Sequence, residues 1–304
     1  MILPLIKTPL ILYKGPHNWR RMWLKDETKQ ITHAFKYRGV RHKFLTGYND
    51  LKKGVVTAST GNHALAVSYC AKAMNIPATI FVPKSISRCK YEQIRALGAT
   101  VISENITSYD DAVAYAIQEA KQGKIYIPSF TDPKIIQGHQ SILEETQPFL
   151  SENSTIFCPI GGGGLLTAII NHRNEHSLTF DIRGVELKNF SAMAYSLAQK
   201  KNSELSQDTI KKYPPYCEGL LVSKVGDIGF RTALNNSIPI ETVSVDEIDY
   251  AISQLYKYEN LKAEGAGAAS FAAAIKDGDK SKDCLCIISG GNIEEKFLRK
   301  ITEE

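Results

Sequence analysis

Short runs of apolar residues alternate along the chain with longer segments whose apolar residues recur every three or four positions. The short runs predict buried strands, and the longer segments predict helices. Strands are predicted at residues 54–57, 78–82, 99–103, 124–127, 155–160, 181–186, 241–245 and 284–289. Helices are predicted at residues 62–74, 86–97, 110–122, 165–170, 246–258 and 265–276. Continuously apolar strands that alternate with helices are typical of parallel sheets, so we expect an α/β fold.

Local signals refine two of these boundaries. Ser85 is expected to cap the helix that follows it, and Gly98 is expected to end that helix. The most polar stretch, residues 200–212, is rich in Lys, Ser, Asn and Gln. We expect it to form a solvated surface loop or helix.

Composition excludes several classes of protein. The 304 residues include 37 basic and 32 acidic residues, which leaves a net charge of +5. With 43% hydrophobic residues the chain is too apolar to be disordered, and its length suggests two domains or one large domain. The mild positive charge does not indicate nucleic-acid binding, so we expect no nucleic-acid partner. No apolar stretch approaches the roughly 20 residues that cross a bilayer, so we expect no membrane partner either.

The six cysteines do not indicate disulfides or a metal. None forms a C-x-x-C pair, and most lie within apolar runs. Cys284 and Cys286 would point to one face of a strand, which favours packing. The N-terminal segment lacks the features of a secretion signal. We therefore expect reduced thiols and a cytoplasmic protein.

Three strand-to-helix connections carry residues suited to ligands, which bind at the carboxyl ends of strands in open α/β sheets. Residues 58–63 place small and polar groups at a helix start, which suits a carboxylate or a phosphate but also an ordinary helix cap. Residues 159–165 include four consecutive glycines, which let a backbone approach a phosphate or form a flexible turn. Ser289 ends a strand before two glycines, as in many turns. Together they predict one site for a phosphorylated ligand and a small carboxylate.

Seven short segments, spread in order over nearly the whole chain, form a recognisable set of motifs. They are T-P-L at 8–10, T-H-A-F-K-Y-R-G-V at 32–40, S-T-G-N-H at 59–63, the tetraglycine at 161–164, E-G and V-G at 218–219 and 225–226, E-G-A-G-A-A at 264–269 and S-G-G-N at 289–292. In these motifs the chain resembles the fold-type II pyridoxal-phosphate (PLP) enzymes, specifically the serine/threonine dehydratase and serine racemase family.

The resemblance implies a role for each site residue. Lys36, which would otherwise be interpreted as a surface lysine, holds PLP as a Schiff base and serves as the acid/base at the substrate Cα. The other cofactor-binding residues are Phe35 against the ring, Asn62 at the ring hydroxyl, Ser289 at the pyridine nitrogen, and Gly161, Gly162, Gly163, Gly164 and Leu165 at the phosphate. The substrate-binding residues are Ser59, Thr60, Asn62 and His63 at the carboxylate and His139 near the side chain.

The implied activity is that of a PLP-dependent lyase of amino-acid metabolism. It removes the hydroxyl of a small amino acid such as L-serine or L-threonine by α,β-elimination and releases a 2-oxo acid and ammonia. A neutral Ser289 makes the ring a weaker electron sink than an acidic partner would, which favours elimination. Racemisation stays open because Thr60 offers a second catalytic hydroxyl, although that hydroxyl can also cap the helix or bind carboxylate. β-Replacement on the same scaffold and a non-catalytic PLP-binding homologue also stay open.

The chain departs from the family at three places, which puts the substrate in doubt. His33-Ala34 replaces Gly-Ser, residues 138–141 read G-H-Q-S where the family has G-Q-G-T, and Gly265 replaces Pro. We expect no metal site. Glu186 lacks the later carboxylate of the Mg-dependent members, and H-x-x-E-H at 172–176, a zinc-peptidase pattern, lacks a clear third ligand.

The resemblance also predicts the architecture, a two-domain fold like that of the tryptophan synthase β subunit, with parallel sheets flanked by helices. Residues 1–53 and 138–304 are expected to form a large PLP-binding domain. Residues 54–137 are expected to form a smaller domain that closes over the substrate. The family also implies a homodimer.

Overall fold

The computed structural model describes residues 3–303, which form ten strands and thirteen α-helices. The strands are β1 (Leu10–Leu12), β2 (Arg21–Asp26), β3 (Val55–Ala58), β4 (Ala78–Phe81), β5 (Thr100–Ile102), β6 (Ile125–Tyr126), β7 (Ser154–Pro159), β8 (Asp181–Leu187), β9 (Ile240–Val243) and β10 (Asp283–Ile288). The helices are α1 (Lys36–Thr46), α2 (Tyr48–Leu51), α3 (Asn62–Ala73), α4 (Arg88–Ala96), α5 (Tyr109–Ala120), α6 (Pro133–His139), α7 (Ser141–Thr146), α8 (Gly164–Glu175), α9 (Ala192–Ala198), α10 (Asp227–Asn235), α11 (Val245–Glu259), α12 (Gly265–Lys276) and α13 (Glu295–Glu303). Short 3-10 helices lie at Glu27–Lys29, Gln147–Phe149, Gln207–Lys212 and Pro215–Leu220.

The chain divides into two compact units. The smaller unit comprises residues 3–6 and Lys36–His139, and its four-stranded parallel sheet has the order β5-β4-β3-β6. The larger unit comprises Lys7–Phe35 and residues 140–303, and its six-stranded sheet has the order β1-β2-β10-β7-β8-β9. Only β1 runs antiparallel to its neighbour in that sheet. The predicted α/β class with parallel sheets is confirmed, and the assignment of PLP binding and substrate closure to particular domains stays a prediction.

All eight predicted strands and six predicted helices are present, with ends displaced by a few residues. Gly98 ends α4 as expected, with a φ of 86° that favours glycine. The assignment of Ser85 as the cap is wrong. Ser87 caps α4 instead, because its side chain accepts a hydrogen bond from the Lys90 backbone N–H. Residues 200–212 form a loop followed by a 3-10 helix.

The strand β2 was not predicted, because a buried charged residue, Lys25, interrupts its apolar pattern. Lys25 is 1% exposed and donates to Glu145 at 2.5 Å and to the Thr8 carbonyl at 2.7 Å. The Thr8 hydroxyl in turn donates to Glu27 at 2.6 Å. Burial of a charge is tolerated only with such partners. The T-P-L segment at residue 8 therefore supports a buried polar network beside the sheet.

Asp283, the first residue of β10, is expected to make the stability of the larger unit pH-dependent. Its buried carboxylate accepts hydrogen bonds from Arg20 at 2.8 Å and from Arg21 at 2.6 Å, and the Arg20 bonds contribute most to lowering its pKa to about 2. An acid whose folded pKa lies below its unfolded value stabilises the fold above the unfolded pKa. That contribution is lost as the pH falls from about 4 towards 2.

Asp283→Asn tests this prediction by chemical denaturation at pH 6 and pH 3. The variant should unfold about 1–2 kcal/mol more easily than wild type at pH 6, and the difference should shrink at pH 3. This loss of stability is smaller than the free energy that corresponds to the full pKa shift, because the Arg20 and Arg21 side chains are half exposed and solvent weakens their attraction to Asp283. A difference that is equal at both pH values would contradict the depressed pKa.

None of the helices within residues 3–303 is long and apolar enough to cross a membrane. The thiols of the six cysteines are free, and Cys284 and Cys286 lie in the core cluster of the larger unit, as their packing role requires.

Candidate active site

In the smaller unit, Lys36 is the first residue of α1 and carries a desolvated amine. Its Nζ donates to the Ser129 carbonyl at 2.8 Å. Burial of the ammonium disfavours its charged form and lowers the pKa of Lys36 to about 8. A lysine with such a pKa keeps an appreciable neutral fraction near pH 7, as a nucleophile or proton acceptor needs.

The predicted carboxylate loop lies between β3 and α3 in the same unit. The Ser59 hydroxyl accepts the Gly61 N–H at 3.3 Å, and the α3 cap residue Gly61 provides no side chain to bond the first turn. A Cβ added at Gly61 would meet no heavy atom within 4 Å. Packing within the chain therefore does not require this glycine, whereas a carboxylate held by the N–H groups of α3 would.

His63, the second residue of α3, brings a neutral imidazole to this loop. The ring is 2% exposed, and Nε2 lies 3.0 Å from the Ile127 carbonyl. Burial, aided by the charge of Lys36, lowers the pKa of His63 to about 3. Nε2 must carry the proton that it donates to Ile127, which assigns the tautomer from the network. His63 therefore adds no positive charge for a substrate carboxylate.

His139 ends α6 and packs on α1 through a pair of glycines. A Cβ at Gly39 would approach the His139 ring to 2.5 Å, and a Cβ at Gly138 would approach Cα of Gly39 to 2.8 Å. The ring is 1% exposed, and burial together with Lys36 and Arg38 lowers the pKa of His139 well below its usual value. Lys36, His63 and His139 thus form one desolvated cluster in which both imidazoles are neutral.

In the larger unit, the four glycines connect β7 to α8 and are held by backbone contacts. A Cβ at Gly161 would overlap the carbonyl oxygen of Gly219. Gly163 has a φ of 88°, and a Cβ there would lie 3.4 Å from Cα of Gly229. The Gly226 N–H donates to the Gly162 carbonyl at 3.0 Å. Glycine is required here by close approach and by the left-handed backbone.

The start of α8 fits a phosphate group. Gly163 is its cap residue and makes no side-chain hydrogen bond, and the first turn contains no acidic residue. The twelve-residue helix directs the positive end of its dipole and its first N–H groups towards this loop. Leu165 is buried behind the loop at 4% exposure. The residues therefore fit the phosphate of PLP.

Ser289 and Phe35 are joined at the neighbouring strand end of the larger unit. β10 lies beside β7 in parallel, so Ser289 and the glycine loop follow adjacent carboxyl ends. The Phe35 N–H donates to the Ser289 carbonyl at 2.9 Å, and the Gly291 N–H donates to the His33 carbonyl at 2.9 Å. The Ser289 hydroxyl, which is a neutral group, donates to the Ala266 carbonyl at 3.2 Å.

His33 stands where the family has glycine, and its backbone explains that preference. Its φ of 56° lies in the left-handed region, which costs a non-glycine residue about 1 kcal/mol. The ring Nδ1 lies 3.1 Å from the Thr28 carbonyl, a contact that partly offsets this strain.

The residues of the two metal patterns are engaged in structural contacts. The Glu186 carboxylate accepts the N–H groups of Met193 and Ala194 at 2.9 Å each, so it caps α9, and burial raises its pKa to about 7. His172 contacts Gln147 at 3.0 Å and its ring stacks on His176 at 4.1 Å. Within residues 3–303, no three His, Cys, Asp or Glu side chains are grouped so that they could hold a metal ion.

Glu175, the acid of H-x-x-E-H, accepts both hydrogen bonds of the Gln140 amide, at 3.1 and 3.2 Å. The Gln140 side chain is therefore directed to the end of α8. The expectation that His139 and Gln140 reshape a substrate pocket stays a prediction, as do the individual site roles.

Two carbonyl groups of the smaller unit were missed by sequence reasoning. Ile127 and Ser129 follow β6 and accept from His63 and Lys36, respectively. Carbonyl acceptors leave no trace in side-chain identity, because every residue provides one. The glycine at 229 was also missed, since only its contact with Gly163 distinguishes it.

Comparison with known proteins agrees with this geometry. Residues 2–290 match the family model described as pyridoxal-phosphate dependent enzyme. The chain is 32% identical over 283 residues to an L-threonine ammonia-lyase of Thermotoga maritima, an alignment covering 92% of the chain and 69% of that protein. It is 33% identical over 292 residues to a biosynthetic L-threonine dehydratase of Halalkalibacterium halodurans, covering 93% and 68%, respectively.

Solved structures show the same fold. The processed threonine deaminase isoform 2 of Solanum lycopersicum superposes with a TM-score of 0.87 at 30% identity, covering 98% of this chain and 88% of that one. Maize serine racemase superposes with a TM-score of 0.85 at 25% identity, covering 97% and 91%, respectively. The expected fold type and the family resemblance are confirmed. The chain thus belongs to the family of pyridoxal-phosphate dependent enzymes, and pyridoxal 5′-phosphate is its cofactor.

Proposed function

We propose that this chain is a lyase that removes the hydroxyl of L-threonine or L-serine by α,β-elimination and releases a 2-oxo acid and ammonia. The observation that carries the proposal is the desolvated amine of Lys36, held by the Ser129 carbonyl at the start of α1. The names of the bacterial relatives support threonine as the first substrate to test.

In this mechanism, bound PLP supplies the electron sink that makes loss of the Cα proton feasible. Lys36 would hold the cofactor covalently through Nζ, and its neutral amine, once free, would take the Cα proton. Its lowered pKa suits both tasks near neutral pH. Gly161 to Gly164 would hold the phosphate through backbone N–H groups, Phe35 would pack against the ring and Asn62 would bind the ring hydroxyl.

The substrate carboxylate binds the loop of Ser59, Thr60 and Asn62 at the start of α3. Hydroxyl groups and the helix N-terminus supply this attraction, because His63 is neutral. His139 lies near the substrate side chain. Ser289 would offer the pyridine nitrogen a neutral hydroxyl, which would give the ring less electron-withdrawing power than an acid would. The electron pair left at Cα would then form the Cα=Cβ double bond as the bond to the β-hydroxyl breaks, and the proton taken by Lys36 would leave with that hydroxyl as water.

A second candidate reaction is racemisation, favoured by the hydroxyl of Thr60 in the carboxylate loop and by the fold shared with maize serine racemase. A racemase needs a second acid/base opposite Lys36, and Thr60 would be that group. The candidate predicts that Thr60→Val abolishes racemisation while elimination continues.

The test is turnover of a panel of L- and D-amino acids by the holoenzyme, with separate assays of 2-oxo acid, ammonia and enantiomer composition. Elimination predicts equal amounts of 2-oxo acid and ammonia from L-threonine or L-serine. Enantiomer exchange without 2-oxo acid would contradict it in favour of racemisation. Bound cofactor without turnover of any amino acid would contradict both and leave a non-catalytic PLP-binding protein.

Gly61→Ala is expected to raise KM for the amino acid about 10-fold or more and to leave PLP binding unchanged. The new methyl group meets no atom of the chain, so the fold is preserved, but it projects into the space proposed for the carboxylate. Steady-state kinetics with a PLP titration in parallel would measure both effects. An unchanged KM would show that the substrate carboxylate does not bind this loop.

We further propose that the chain acts in the cytoplasm as a homodimer on a small amino-acid substrate, without a nucleic-acid partner. Free cysteines support a reducing compartment, and the family implies the dimer. Analytical ultracentrifugation of the holoenzyme would test the assembly, and a monomer would contradict it.

A further inference from the structure

The glycine loop of the larger unit rests on two helices that none of the family motifs fully covers. Cε of Met193, on α9, lies 3.4 Å from the position of a Cβ on Gly163. The N-terminal end of α10 holds the loop directly, because the Gly226 N–H donates to the Gly162 carbonyl at 3.0 Å. The position of Gly226 therefore sets the position of the loop.

Asn202 holds the two residues that flank Gly226. Its Nδ2 donates to the Val225 carbonyl at 3.0 Å and to the Asp227 carboxylate at 2.5 Å. Both partners are acceptors, so the amide orientation follows from the network. A single side chain thus binds the backbone carbonyl before Gly226 and the side-chain carboxylate of the residue after it.

Asn202 is itself anchored from the opposite side. The Ser203 N–H donates to the Ser196 hydroxyl at 3.0 Å, which attaches this loop to the C-terminal end of α9. The N-terminal end of α9 is capped by Glu186. Asn202 therefore connects a helix fixed at both ends to the segment that carries Gly226.

We propose that Asn202 is a positioning residue for the cofactor phosphate, acting through Gly226 on the carbonyl of Gly162. The inference rests on the proposed role of Gly161–Gly164 as the phosphate site. According to this proposal, a residue of the polar surface stretch that follows α9 affects the affinity for the cofactor. We therefore expect a loss that depends on the phosphate group and not on the pyridoxal ring.

The experiment titrates the full-length apoprotein with PLP and, separately, with pyridoxal, which lacks the phosphate. Asn202→Ala should weaken PLP binding about 10-fold, equal to about 1.4 kcal/mol, and change pyridoxal binding less than twofold. Asn202→Asp should weaken PLP binding further, because an oxygen then faces two acceptors. The ratio of the two affinities cancels a general loss of folded protein.

Asn236→Ala is the matched control, because Asn236 donates to the Thr232 carbonyl at 2.9 Å at the opposite end of α10. It should leave the ratio of PLP to pyridoxal affinity unchanged. An equal loss of both ligands in Asn202→Ala, or no loss of either, would overturn the positioning role alone. If wild type binds PLP no better than pyridoxal, the phosphate assignment of the glycine loop fails, and the role of Asn202 fails with it.

Discussion

Replacing Lys36 by alanine is expected to lower kcat/KM for the amino-acid substrate by about 10⁴-fold or more. The substitution removes the nucleophile that attaches the cofactor and the base that takes the Cα proton, so two steps lose the same group. The desolvated site around Nζ offers Ser129 as a carbonyl acceptor and two neutral imidazoles, and none of these replaces an amine. Stopped assays of 2-oxo acid measure the loss, and the visible absorption of bound cofactor should change with it.

Lys43→Ala is the matched control on the same helix. Lys43 pairs with Asp132 at 2.6 Å, so its loss removes a charge from α1 without removing the amine at the start of the helix. This variant should retain activity within a few-fold. Added methylamine should restore part of the activity of Lys36→Ala, since a small amine can occupy the truncated site. Full activity in Lys36→Ala would contradict the proposed mechanism.

Eight strands of the two sheets were predictable from the sequence, and β1 and β2 are the exceptions. Beyond their polar first residues, strands of the parallel core such as β7 and β10 are apolar, because both faces are buried. Most of β2 is buried as well, but the strand ends in Lys25 and Asp26. The Lys25 charge is satisfied by Glu145, which is distant in sequence, whereas Asp26 accepts from the nearby Thr28 hydroxyl. A hydrophobic pattern records burial and cannot record a partner 120 residues away.

The candidate site was predictable wherever its chemistry needs a particular side chain or the absence of one. Gly163 and Gly161 mark a left-handed backbone and a backbone contact, which no other residue type tolerates well. Lys36 was found only through the family motif, because desolvation depends on the folded surroundings and not on the neighbouring sequence. Ser129 left no signal at all, since it contributes a carbonyl group.

Gly161→Ala is expected to weaken PLP binding about 100-fold and to lower the free energy of unfolding by about 1–3 kcal/mol. The added methyl group would overlap the carbonyl oxygen of Gly219, and a backbone atom cannot move aside by a rotamer change. The loop must shift instead, which misdirects the N–H groups at the start of α8. Because the hydrogen bonds that these groups would donate to a phosphate are charge-assisted, a small displacement is expected to have a large effect on PLP affinity.

Gly61→Ala provides the comparison that separates loop geometry from the chemical change itself. Both substitutions add one methyl group to a glycine before a helix, but only the one at Gly161 meets a backbone atom. Equilibrium titration with PLP and chemical denaturation of both apoproteins measure the two quantities independently. The loss of stability in Gly161→Ala arises without cofactor, whereas the loss of affinity appears only when PLP is bound. The free energy of unfolding should therefore differ more between variant and wild type in the presence of PLP than between the two apoproteins. Equal affinity for PLP in wild type and Gly161→Ala would mean that the glycine loop does not hold the phosphate.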